Sequence, residues 1–238
     1  MRGLFIRFFF FAVTPLAALV HARAADSYEI ARTADFTITG DGSASNWEAA
    51  NWLSMPPFED SSLDYETKVK LLYSDSGIYA LFYCEDRRLT SAMTEDFDKL
   101  WTEDVVEVFL WPDERMPVYF EHELSPLNRE LVLLVPNYGG RFFGWIPWQY
   151  EGERLIQHKT SVTGGRLESM ATVKAWTGEI FFPYKIFSPM LDRTPQSGDR
   201  WRGNFYRMDY DEGRGRWSWM KTEKGFHEYE KFGALLFK

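Results

Sequence analysis

The chain has 238 residues, of which 45% are hydrophobic, 18% aromatic and 26% charged, with a formal net charge of −8. That much apolar side-chain surface can fill a sizeable core and excludes intrinsic disorder. An acidic chain with no dense Lys/Arg window argues against binding nucleic acid or an anionic membrane.

Arg2 and Arg7 lead into the apolar run from Phe8 to Val20, which closes on Ala22-Arg23-Ala24, a small-x-small cleavage pattern. Residues 1–24 are therefore expected to be a signal peptide cut after about Ala24, making the protein secreted or periplasmic. The run is too short for a spanning helix, so no membrane insertion is expected after cleavage. Removing Arg2, Arg7 and Arg23 with no acid leaves a more acidic mature chain. Residues 25–238 carry no linker, repeat or low-complexity run, and a single domain is expected there. Cys84 is the only cysteine, so no disulfide forms within the chain, and it reads as a small buried residue at a strand end.

Along this region, short runs rich in Val, Ile, Tyr and Phe are separated by Gly, Asp, Asn and Pro clusters, the pattern of antiparallel β-structure. Ser45 to Leu53 is expected as a short helix. Thr67 to Leu71 and Ile78 to Cys84 form a hairpin about Asp75-Ser76-Gly77. Further strands are expected at Asp104 to Leu110, Pro117 to Leu124, Glu130 to Val135, Ile156 to Thr163, Glu168 to Ala175 and Glu179 to Phe182. A second short helix is expected at Tyr184 to Leu191, then strands at Trp201 to Tyr210 and Phe232 to Phe237. So many strands need two packed sheets, because one open sheet would leave an aromatic face wet. The expected fold is all-β, an antiparallel β-sandwich of jelly-roll type with one or two short helices.

No phosphate-binding loop, dinucleotide fingerprint, His-Glu-x-x-His or Gly-x-Ser-x-Gly elbow is present. His122 lies between Glu121 and Glu123, and strand alternation sends it to the opposite face from both acids, against a local metal clamp. Glu107 interrupts Val105-Val106-Glu107-Val108-Phe109, where a carboxylate is either turned to solvent or held for a ligand. A glycoside hydrolase would need two carboxyl groups across a cleft, and Glu107 with Glu121 is the pair that such an enzyme would use.

Trp101-Thr102-Glu103-Asp104-Val105-Val106-Glu107-Val108-Phe109 resembles the W-x-x-D-x-V-E-[IV]-F strand of family 9 carbohydrate-binding modules, sugar-binding β-sandwiches often attached to xylanases. Asp41-Gly42 with Trp47 is similar to that family's opening. Lys68 to Asp75 with Ile78 to Phe82 is similar to its hairpin, and Lys231-Phe232-Gly233 to its closing strand. The resemblance implies an exported, non-catalytic protein that binds a mono-, oligo- or polysaccharide end between two rings, acts in polysaccharide catabolism and has a glycoside hydrolase as a neighbour. It makes Trp101 the first ring and Glu107 a carboxylate for sugar hydroxyls. Phe226 stands where the second ring is expected to be Trp, and Glu121 falls where the family carries arginine, with Arg207 as the candidate replacement. The segment Glu121 to Asn128 is closest to a stand-alone exported subgroup. These departures also fit a structural or interaction sandwich whose sugar site has decayed.

Trp145 and Trp148 lie on a long loop after Gly139-Gly140, as ligand platforms or as loop packing. Trp47 and Trp52 are expected to pack the first short helix, and Trp176 to plug the core. The resemblance implies structural calcium without requiring a cofactor, and Asp35, Asp41, Asp60 and Asp64 offer loop oxygens for it.

Overall fold

Period-two patterning becomes strand wherever an apolar face can be covered, and the computed structural model shows how. It describes residues 26–188 and 190–238, so the expected signal peptide lies outside the described residues. The strands are β1 (Ser27–Arg32), β2 (Leu53–Ser54), β3 (Thr67–Tyr73), β4 (Gly77–Glu85), β5 (Val105–Trp111), β6 (Val118–Leu124), β7 (Glu130–Tyr138), β8 (Arg141–Phe142), β9 (Ile146–Pro147), β10 (Gln157–Thr163), β11 (Ala175–Pro183), β12 (Arg200–Asp209), β13 (Gly215–Ser218) and β14 (Gly233–Phe237). They build a β-sandwich, as expected. One layer runs β14-β12-β5-β6-β7, with β13, β8 and β9 attached, and the other runs β10-β11-β4-β3 with β2. The ladders are antiparallel except those of β1, which pairs in parallel with β14 through Ser27 to Ile30 and with β3 through Ala31 and Arg32. β1 thus passes from one layer to the other, joining two strands far apart in the chain, where no hairpin imposes an antiparallel sense.

Between the layers, Val106, Val108 and Leu110 of β5 point inward to meet Phe82 and Ile180 from the opposing sheet. Ring pairs cross the gap, Phe82 with Phe205 at 6.3 Å and Phe120 with Phe182 at 5.8 Å. The alternate residues Val105 and Phe109 face outward, where Leu100, Tyr229 and Phe232 cover them in a second apolar cluster. Cys84 is buried in the inner core, and burial pushes its thiol up to about 12.

Both expected helices shrink to single 3₁₀ turns, Ser45–Ala49 and Tyr184–Phe187. Stretches this short cannot offset the cost of helix nucleation. The expected strand Glu168 to Ala175 is irregular up to Lys174, and β11 runs unbroken from Ala175 through Gly178 into the expected strand Glu179 to Phe182. A side chain at Gly178 would come within 3.1 Å of Leu124 Cδ2, so this glycine allows the layers to approach. Trp176 is fully buried in β11, as expected of a core plug. Trp47 is also buried, whereas Trp52 is exposed beneath the ammonium groups of Lys68 and Lys70.

The opening and closing motifs are structural. Glu179, buried in β11, accepts hydrogen bonds from Thr39 N at 2.9 Å, Gly40 N at 2.6 Å and Trp47 Nε1 at 2.8 Å, tying the Asp41-Gly42…Trp47 segment to the sheet. Gly233 lies against the Trp219 ring, which a Cβ would meet at 2.3 Å.

Candidate functional site

Strand pairing gathers three acids on the outward face of the first sheet. Glu107 on β5 stands directly opposite Glu123 on β6, and Glu121 lies two residues away on the same face. All three are buried, at 3%, 2% and 3% exposure respectively. They line the floor of a cavity of about 270 Å³, close to the lower bound of roughly 300 Å³ for small-molecule sites. Like charges directly opposite on a sheet repel, and burial withdraws the water that would screen them. Burial accordingly pushes the Glu107 carboxyl up to about 8. Burial, then the neighbouring Glu107 carboxyl, raises Glu121 and Glu123 well above the ordinary carboxylate range. Glu121 and Glu123 are two residues apart on one strand face, so each adds to the cost of ionising the other.

No protein donor reaches Glu121 Oε2 or Glu123 Oε2. His227 is near, its Nδ1 at 3.7 Å from Glu121 Oε2, but burial lowers the ring to about 4, so it carries no charge near neutral pH. Its Nδ1 lies 2.7 Å from the Tyr119 hydroxyl.

Aromatic rings wall the cavity. Trp101 sits on the 3₁₀ turn Leu100–Thr102 just before β5, half-buried, with its carbonyl held by the Tyr210 hydroxyl at 2.9 Å. Asp104 anchors that corner by accepting from the backbone N–H groups of Thr90 and Tyr210. The exposed Trp145 meets Trp101 edge to face at 5.5 Å and continues through Phe142 onto His227. Phe226, also half-buried, stacks flat on Tyr206 at 4.1 Å, with a tilt of 13°. Such a set can cover the apolar C–H face of a pyranose while the floor exchanges hydrogen bonds with its hydroxyls.

The structure thus brings together Trp101, Glu107, Glu121, Phe226 and Trp145, and it separates Arg207 and Trp148 from them. On β12, Tyr206 and Met208 face outward, so alternation turns Arg207 into the sandwich. There Arg207 is fully buried, stacked on Trp217 at 4.7 Å and bonded to Thr67 Oγ1 at 2.9 Å and to Asp209. It cannot replace the arginine expected in the site. Trp148 packs against the inner core and donates from Nε1 to the Ile186 carbonyl at 3.2 Å, so its role is loop packing. His122 points into the core opposite its two acidic neighbours and bonds Glu130 at 3.0 Å. Burial works against ionising Glu130, yet hydrogen bonds from His122 and His158 hold its carboxyl well below the ordinary range.

No three of the four loop aspartates Asp35, Asp41, Asp60 and Asp64 bring their oxygens together. Asp35 is bonded to Ser76 and Tyr79, Asp41 to Thr39 and Ser43, and Asp60 to Arg216. Among the described residues, the group of three or more acids whose oxygens all come within 4.8 Å of one another is Asp86, Asp104 and Asp209. Arg207 already supplies a cation to that group, and backbone N–H donors hold it, unlike the six or more oxygen ligands calcium takes.

Sequence reasoning missed Glu123, His227 and Tyr210. The period-two rule that placed His122 opposite Glu121 and Glu123 also puts both acids on one face, so Glu123 was accessible to it. Tyr210 ends the expected strand Trp201 to Tyr210, on the face shared by Tyr206 and Met208, whereas His227 comes from a loop, where no periodicity applies.

Residues 38–130 match the family model described as carbohydrate family 9 binding domain-like, which spans the opening, the hairpin and the signature strand. This bears out the resemblance over that segment. No curated protein matches the chain significantly. Among solved structures, a candidate carbohydrate-binding protein from Bacteroides uniformis superimposes with a TM-score of 0.72 at 16% identity, covering 89% of this chain and 99% of that one. A family 9 carbohydrate-binding module from Caldicellulosiruptor kristjanssonii, solved with cellotriose, gives 0.62 at 16% identity over 89% and 93% of the two chains. A module of that family from the same organism, solved with glucose, gives 0.62 at 16% identity over 88% and 95%. At such identities the likeness is one of fold.

Proposed function

We propose that the protein is a non-catalytic carbohydrate binder that seats a glycan end in the cavity between Trp101 and Phe226. Trp145 serves as a third ring, with Glu107, Glu121 and Glu123 as hydrogen-bonding groups beneath. The observation that carries this reading is an aromatic-walled cavity set over buried carboxyl groups with free oxygens. The structural neighbours solved with cellotriose and glucose support it by analogy of fold.

A hydrolase reading would need one protonated and one ionised carboxyl group, held apart by different surroundings. Here Glu107, Glu121 and Glu123 stand side by side on one sheet face rather than across a cleft from one another, which favours binding over acid–base catalysis. Export by the segment at residues 1–24, a role in polysaccharide catabolism and partnership with a glycoside hydrolase belong to the same proposal. Structural calcium is not required by it.

The test is titration calorimetry with mono- and oligosaccharides on wild type and on Trp101→Ala and Glu107→Ala. Loss of binding in both variants is expected. Wild-type affinity in both would remove the site, and turnover of a polysaccharide abolished by Glu107→Gln would replace the binder with an enzyme.

A further inference from the structure

Resting on the carbohydrate reading, we infer that the pocket prefers a cationic sugar, a hexosamine whose free amine is protonated, with the ammonium group seated against Glu121 and Glu123. The floor is unusual for a neutral-sugar site because its acids have no positive partner. Glu107 on β5 and Glu121 and Glu123 on β6 meet there, and neither the Oε2 of Glu121 nor that of Glu123 receives a donor from the protein. The other ionisable groups around the floor do not compensate. Tyr119, Tyr206 and Tyr210 are neutral phenols, and His227 is an uncharged ring. At the rim, Arg216 is committed to Asp60 at 2.6 Å, while Arg214 is exposed to solvent, which screens it.

Buried carboxyl groups in that position must keep their protons or acquire a cation. A protonated amine supplies the cation, with three N–H donors for the carboxyl groups that line the cavity. The rings of Trp101 and Phe226 add cation–π attraction beside the apolar sugar face. Because the empty floor holds protons, seating an ammonium group displaces proton from the carboxyl groups to solvent, so binding and proton release are linked.

The experiment is calorimetry at neutral pH with glucosamine, glucose, N-acetylglucosamine and cyclohexylamine, each in two buffers of different ionisation enthalpy. Glucosamine is expected to bind about tenfold or more tightly than glucose or N-acetylglucosamine, a difference of about 1.4 kcal/mol. Its heat is expected to vary with buffer as proton is released, whereas that of glucose varies less. In Glu121→Gln and Glu123→Gln the ratio of glucose to glucosamine dissociation constants should fall toward one, with wild-type proton release standing as the test if either variant fails to fold. Glucose binding as tightly as glucosamine without extra proton release overturns this inference and leaves the carbohydrate reading intact. Cyclohexylamine binding as tightly as glucosamine overturns it by showing a cation site indifferent to the sugar. No sugar binding at all overturns both.

Discussion

Two groups of three buried acids lie on the two sides of the first sheet, the inner one completed by Asp86 from the end of β4 in the other layer, and their surroundings differ. On the inward side, Asp86, Asp104 and Asp209 surround Arg207, whose guanidinium bonds Asp209 and lies 3.5 Å from Asp86. Backbone N–H groups complete that cluster, with Asp104 alone fixing Thr90 and Tyr210. On the outward side, Glu107, Glu121 and Glu123 have no cation and open onto a cavity. Burial raises the carboxyl groups in both places, Asp86 to about 7 and Glu107 to about 8. A buried acid cluster that contains its own counter-charge is finished by folding, whereas one that lacks it is left for something from outside.

The strongest way to break this comparison is to make the first cluster resemble the second. Arg207→Leu strands three aspartates without a cation and is expected to cost about 3 to 5 kcal/mol, measured by urea denaturation. A loss below 1 kcal/mol would mean that the inner cluster does not depend on its arginine.

The outer cluster should make stability depend on pH in a defined direction. Folded Glu107 keeps its proton up to about 8, while the unfolded chain loses it near the ordinary value of 4.5. The folded state therefore binds more proton between those values, and stability falls as pH rises through the window, by about 1.4 kcal/mol per unit for each such proton. Thermal melts across it should show this fall in wild type and a shallower one in Glu107→Gln. Equal slopes would remove Glu107 from the account.

Trp101→Ala should weaken sugar binding at least tenfold, about 1.4 kcal/mol, by calorimetry. Trp148→Phe provides the matching control from the loop residue placed outside the cavity. It loses the Nε1 bond to Ile186, with an expected cost of about 1 kcal/mol in stability and unchanged affinity. The smallest effect is expected from a calcium chelator, which should shift neither the melting temperature nor the affinity, since the loop aspartates do not assemble around one point.

Most of the strand framework was legible because it depends on local alternation. The hairpin of β3 and β4, the signature strand β5 and the closing strand β14 fall where the patterning and the motifs put them. β1 was missed because its pairing is with residues more than 40 and more than 200 positions away. Within the site, Trp101, Glu107 and Phe226 were legible from motif order. Arg207 was misplaced because the resemblance asked for a positive charge, whereas alternation along β12 puts that residue on the inward face.

By itself, the sequence determined an all-β sandwich and, through motif order, singled out Trp101 and Glu107, which line the same cavity, since composition, period and motif spacing are properties of neighbouring residues. Only the tertiary structure decided that Glu123 faces Glu107, that Trp145 closes on Trp101, and that Arg207 is turned into the interior, away from the cavity. Register and burial set those outcomes, because the charge state of an acid depends on what the folded chain brings within a few ångströms of it.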